Sequence, residues 1–108
     1  MKPTMTAAQI AATLHLTGLT QRAFGDAIGV SKMSVSNWLS GTYAASANAV
    51  ANIHRLRAEH DADLARIIQL ANDGAPMILG AHARGRDWSI GLAARLIDRL
   101  PDAEIVWD

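Results

Sequence analysis

Apolar residues recur along this chain at the three- and four-residue steps of amphipathic helices, punctuated by glycine and proline. Ile10 and Leu14, with Ala7 and Ala11, predict a first helix from about Thr6, its cap, to Leu16, and Gly18 breaks it. Thr20 caps a second helix over Gln21–Ile28. Ser31 caps a third, which runs to Leu39 and ends at Gly41. Residues 41–46, GTYAAS, read as a loop, and Ser46 caps a longer helix carrying Val50, Ile53, Leu56, Leu64, Ile67, Ile68 and Ala71. The centre of that stretch, RAEHDAD, is polar, so either one helix of about 26 residues crosses it or two helices meet there. The absence of Gly and Pro between Ala47 and Asn72 favours one helix, ended by Asn72-Asp73-Gly74 and Pro76.

Beyond this point the pattern is weaker. Gly80 and Gly85 mark residues 74–88 as loop-like, and the run Met77-Ile78-Leu79 fits a short strand, a helical turn or an apolar plug. A last helix is expected over Ser89–Leu100, with Ile90, Ala93, Ala94, Leu96, Ile97 and Leu100 on one side. The terminal AEIVWD has the β-rich centre of a short strand. The expected fold class is all-α, with five helices and a C-terminal extension of helix plus short strand. The expected division is residues 1–73 and residues 74–108.

The stretch TQRAFGDAIGVSKMSVSNWLSG, residues 20–41, carries the most information. Phe24, Ile28, Val30, Val35 and Trp38 are apolar where two short helices must pack, and Gly25 is small where they come closest. Gly29 stands where the first of the pair must stop, since glycine takes left-handed backbone at little cost. This is the pattern of a helix-turn-helix, whose second helix enters the DNA major groove. With Val35 and Trp38 turned inward, that helix presents Lys32, Met33, Ser34, Ser36 and Asn37 outward. Lysine donates to guanine O6/N7 or a phosphate, asparagine pairs bidentately with adenine, methionine meets a thymine methyl, and serines permit close approach. Gln21 begins the preceding helix at its positive end, beside Arg22, where a phosphate would bind. Ser40, Thr42 and Tyr43 follow the recognition helix, where hydroxyls meet phosphates, although Tyr43 is equally suited to the core.

Charge sharpens this picture. The formal net charge is zero, yet residues 1–58 hold Lys2, Arg22, Lys32, Arg55 and Arg57 against Asp26 alone, or +4. Residues 59–108 carry five Arg against nine acids, or −4. The zero total argues against loose coating of nucleic acid and leaves room for a focused positive face. His54, with Arg55 and Arg57, is suggestive of proximity to the DNA backbone.

Residues 20–56 resemble the DNA-binding domain of lambda-type phage repressors and Cro-like regulators. The resemblance is carried by Thr20-Gln21, Gly25, Gly29-Val30-Ser31, Val35, Trp38 and Gly41, with residues 46–56 as that family's next helix. It departs at Leu39, where many relatives carry a charge, and at Ala45, where many carry proline. The resemblance implies base-side positions for Gln21, Lys32, Met33, Ser34 and Asn37, joined by Ser36 on the same face. Backbone-side positions follow for Ser40 and Thr42, with Thr20, Arg22, Ser31 and Tyr43 beside them. The long fourth helix and the extension look like those of small phage or plasmid regulators that carry their own dimerisation region. The expected dimer elements are Met77, Ile78, Leu79, Trp88, Leu96, Ile97, Ile105, Val106 and Trp107, too apolar for a free tail. Pairing joins two half-sites of a palindromic operator.

No chemistry competes with this reading. Without cysteine there is no disulfide framework and no thiolate ligand or nucleophile. His15, His54, His60 and His82 form no metal-ligand spacing, and Glu59, His60, Asp61 and Asp63 read as a solvated polar band. No Ser-His-Asp arrangement has turn context, and Gly80–Gly85 lacks phosphate-loop spacing, so no enzyme and no cofactor are expected. The opening MKPTMTAAQIAATLH lacks the apolar run of a secretory signal, and no stretch approaches a membrane span. A cytoplasmic DNA-binding regulator, most simply a repressor, is expected. The alternative is an antitoxin-like module whose acidic, apolar C-terminal half binds a toxin or other protein partner.

Overall fold

Four hydroxyl side chains start the first four helices of this chain. In the computed structural model, which describes residues 4–80 and 82–107, these are α1 (Ala7–Thr17), α2 (Gln21–Ile28), α3 (Lys32–Leu39) and α4 (Ala47–Asn72). Thr6, Thr20, Ser31 and Ser46 each accept the backbone N–H three residues on, at 3.1 Å, and Gln9 completes a capping box with Thr6. The long helix is continuous over its 26 residues. A fifth helix, α5 (Arg86–Arg99), lies between two short strands, β1 (Met77–Leu79) and β2 (Ile105–Trp107). The architecture is thus mainly helical, with one small sheet. Lys2 lies outside the described residues.

The buried face of α1 departs from the apolar stripe expected there. Ile10 is buried as expected and Ala7 and Leu14 are half-buried, but Ala11 is exposed, and Thr13 and Thr17 are buried in addition. Both threonines enter the core because their hydroxyls donate back to the carbonyls of Gln9 and Leu14, at 2.9 Å each. A hydroxyl satisfied by its own helix packs through its methyl group. Ile10 shares one apolar cluster with Phe24, Ile28, Val35, Trp38, Ile53 and Leu56, and the same cluster runs on to Trp88, Leu92 and Leu96. The extension therefore shares one core with the helices that precede it.

Met77–Leu79 is a strand, which closes the question its sequence left open. It pairs in parallel with β2, in the register Met77↔Ile105, Ile78↔Val106 and Leu79↔Trp107. Parallel neighbours need a crossover, and α5 provides it. This helix starts at Arg86, three residues before the Ser89 expected from the sequence, with no side-chain cap and Gly85 at φ 89° ahead of it. Its inner face is Trp88, Ser89, Leu92, Ala93 and Leu96, while Ile90, Ala94 and Ile97 point away, so the single apolar side predicted is in fact two opposite faces. Gly91 explains how close α5 comes to α1. A Cβ there would lie 2.7 Å from the backbone of Thr17 and 2.9 Å from the Leu16 carbonyl.

The polar centre of α4 is not a solvated band. It is the seat on which the extension docks. Glu59 accepts two hydrogen bonds from the Arg84 guanidinium, at 2.6 and 2.8 Å. Asp61 accepts from Arg95 at 2.7 Å and from Arg57 at 3.0 Å. Asp63 accepts the Trp88 indole N–H at 2.9 Å and meets His82 Nε2 at 2.7 Å, while His82 Nδ1 accepts the Arg84 backbone N–H. His60 is fully buried, edge-on to the Trp88 ring with centroids 4.5 Å apart. Arg95 lies 2.8 Å from its Nδ1, and a guanidinium only donates, so this imidazole is neutral with its proton on Nε2. That Nε2 has no hydrogen-bond partner among the described residues. The sequence pattern misled here because the partners lie 25 to 35 residues downstream.

Burial first, and the Arg95 charge second, push the His60 pKa down from 6.5 to about 4. The Arg84 guanidinium holds Glu59 below the usual carboxylate range. Asp61 is held low as well, because bonds from Arg95 and Arg57 outweigh its partial burial. An unfolded chain protonates His60 below about 6.5 and the folded chain resists until about 4. The stability supplied by the neutral imidazole is therefore complete above pH 6.5 and is lost as the pH falls towards 4. Denaturation of the wild type and of His60→Gln across this window should show the wild type losing about 2–3 kcal/mol more than the variant. Parallel pH profiles would show that His60 does not carry the effect.

Candidate nucleic-acid interface

The turn between α2 and α3 is held by backbone geometry. Gly29 adopts φ 79° and closes α2 by donating to the Gly25 carbonyl, which also accepts the Val30 N–H at 2.9 Å. Gly25 is itself buried, and a Cβ on it would lie 2.7 Å from the Val30 carbonyl oxygen. Phe24 and Val35 are fully buried, with Ile28 and Trp38 nearly so. Each residue assigned to the turn and its packing from the sequence occupies the place assigned to it.

With Val35 and Trp38 committed to the core, the opposite side of α3 faces solvent. Lys32, Met33 and Ser36 are exposed, and Ser34 and Asn37 are half-buried. Met33 is 68% exposed, which leaves its thioether at the surface. Among the described residues Lys32 and Arg22 make no ion pair, so their charge is free for a ligand. Arg57, by contrast, is spent on Asp61, and Arg55 donates to Asn52. Gln21 is half-buried at the first position of α2, with Arg22 exposed next to it and Thr20 holding the cap.

The segment after α3 is more ordered than its sequence suggests. The Asn37 carbonyl accepts from the Ser40 hydroxyl and from the backbone N–H groups of Thr42 and Tyr43, and Ser40 and Thr42 share a hydroxyl contact at 2.8 Å. Gly41, at φ 79°, makes that reversal feasible. Two hydroxyls and the ring of Tyr43, which is 65% exposed, are thereby placed beside the end of the recognition helix. Tyr43 is a surface residue, so its core alternative is excluded. The signal for this feature was Ser-Gly-Thr directly after the helix, where the Ser40 hydroxyl and the Thr42 backbone N–H both reach the Asn37 carbonyl.

The expected dimer residues divide into two groups. Met77, Leu79, Trp88 and Leu96 are buried within a single chain and offer no surface for pairing. Their apolar character is used internally by the β1–α5–β2 unit. Ile78, Ile97 and Trp107 are exposed, while Ile105 and Val106 are half-buried. Among the described residues no group of three or more His, Asp or Glu side chains is placed to hold a metal ion, and no helix is long and apolar enough to cross a membrane.

Two helices joined by a glycine turn, the second with a polar outer face, define a helix-turn-helix DNA-binding domain. A helix-turn-helix family model matches residues 14–56. That match supports a DNA-binding regulator of the lambda-repressor/Cro-like type over residues 14–56. No curated protein matches the chain.

The contact at Gly25 separates two glycine effects. Gly25→Val should cost about 3 kcal/mol, because a side chain must displace backbone. Gly29→Ala should cost about 1–2 kcal/mol, because nothing lies within 4 Å and only the left-handed backbone is strained. Urea denaturation of both variants measures the difference, and equal costs would mean that α2 and α3 are not this close.

Proposed function

We propose that the protein is a homodimeric, sequence-specific DNA-binding repressor of phage or plasmid type, acting in the cytoplasm at its own or a neighbouring promoter. The observation that carries this reading is the outer face of α3, which is polar, free of acidic residues and held rigidly by Val35 and Trp38. In this reading Lys32, Met33, Ser34, Ser36 and Asn37, with Gln21, meet base edges. Lys32 donates to guanine O6/N7, Asn37 pairs with adenine and Met33 covers a thymine methyl. Thr20, Arg22, Ser31, Ser40, Thr42 and Tyr43 hold the phosphate backbone on either side. One such helix covers only a few base pairs, so two copies on a palindromic operator supply the remaining specificity. Occupancy of a promoter by the dimer excludes polymerase. No catalytic step, metal or cofactor enters the reading.

The toxin-binding alternative drew on the apolar, acidic C-terminal half. That support weakens because Met77, Leu79, Trp88 and Leu96 are inside the chain and Glu59, Asp61 and Asp63 are bonded to the extension itself.

Binding to duplex from upstream of the chain's own gene, against a scrambled duplex at about 150 mM salt where non-specific binding is weak, tests the proposal. Selective binding with two chains per site is the expected result. Equal weak binding to both would overturn it. Asn37→Ala should cost about 1–3 kcal/mol on the preferred duplex and relax base preference at one position of each half-site. Arg22→Ala should weaken all duplexes alike and flatten the salt dependence by about one unit of slope.

A further inference from the structure

We propose that two copies of this chain pair through the outward face of α5, helix against helix in parallel, about a two-fold axis running along the helices. The inference rests on the homodimer reading and names its contact.

Two opposite faces of α5 are apolar. Trp88, Leu92 and Leu96 fill the core. The outer face carries Ile90, Ala94 and Ile97, at steps of four and three, which is the spacing of a helix-pairing seam. Ile90 is 42% and Ile97 49% exposed. Ala94, small and exposed between them, lets a second helix approach closely. Trp107, 61% exposed, extends the apolar surface alongside Arg86, whose guanidinium lies 4.2 Å from the centre of its ring.

The charges beside the seam select the occupant and its direction. At 100° per residue, Arg86 falls on one flank of the Ile90–Ile97 stripe, and Asp87 and Asp98 fall on the other. Among the described residues none of the three has an ion-pair partner in its own chain. A two-fold axis parallel to the helices sets each flank against the opposite flank of the other copy at the same level. Arg86 then meets Asp87 of the second copy, twice, and Ile90 and Ile97 each meet their own equivalent. An antiparallel pair sets like flanks together, bringing Asp87 beside Asp98 of the second copy, twice, with no cation between them. The face is complementary to itself in the parallel arrangement and repels itself in the other.

The chain has no cysteine, so single cysteines report single contacts. Ile90→Cys and Ile97→Cys, each oxidised mildly alone and then mixed, are compared with Ala65→Cys on the exposed side of α4. The result expected is a covalent dimer from each α5 variant alone and none from Ala65→Cys. Arg86→Asp should weaken dimerisation about tenfold, and adding Asp87→Arg in the same chain should restore it. Covalent bonding only in the mixture would mean antiparallel pairing and would overturn the proposal. A dimer by sedimentation that gives no α5 disulfide in any combination would overturn the contact while leaving the homodimer intact. A chain that stays monomeric at tens of micromolar would remove the homodimer and the contact together.

Discussion

Trp88 ties the two halves of this molecule together. Its ring is fully buried against His60, its indole N–H reaches Asp63, and Arg84 lies 5.3 Å from the ring centre. A buried carboxylate or imidazole is destabilising unless its polar atoms are satisfied, and the extension supplies partners to Glu59, His60 Nδ1, Asp61 and Asp63 at the centre of α4. The dependence runs both ways. Residues 77–79 and 105–107 form a parallel ladder of two three-residue strands, which has little stability of its own. Seated on α4 through Trp88, and on α1 through Gly91, the ladder and its crossover helix become part of one core.

The helix-turn-helix draws on different physics. Its angle is set by the absence of a side chain at Gly25 and by the left-handed backbone at Gly29, both of which act within a few residues. Val35 and Trp38 then use one side of α3, so the polar side is left free. The Ser40 hydroxyl and the backbone N–H groups of Thr42 and Tyr43 are fastened to a single carbonyl, that of Asn37, and so this segment is tied to the end of α3. The formal +4 of the first half is smaller in practice. Arg57 is paired with Asp61, while Arg22, Lys32 and Arg55 make no ion pair among the described residues.

How much could be read in advance follows the range of the interactions. The bounds of α2, α3 and α4 were legible because caps and glycines act locally, and so were the turn and the outward residues of α3. The buried face of α1 was obscured by Thr13 and Thr17, which count as polar in a pattern but hide their hydroxyls in their own helix. The start of α5 was obscured because no side chain caps it. The dimer residues were overcounted, since Trp88 and Leu96 are as apolar as Ile97 and Trp107, and only packing tells inside from outside.

By itself the sequence determined the helix-turn-helix and its exposed face, because capping, glycine backbone freedom and a 3.6-residue period need no distant partner. Tertiary structure alone decided that Glu59, His60, Asp61 and Asp63 are a docking seat, that β1 pairs with β2, and which apolar residues of α5 stay exposed. Those outcomes depend on partners 25 to 35 residues apart, whose meeting is written in no local pattern.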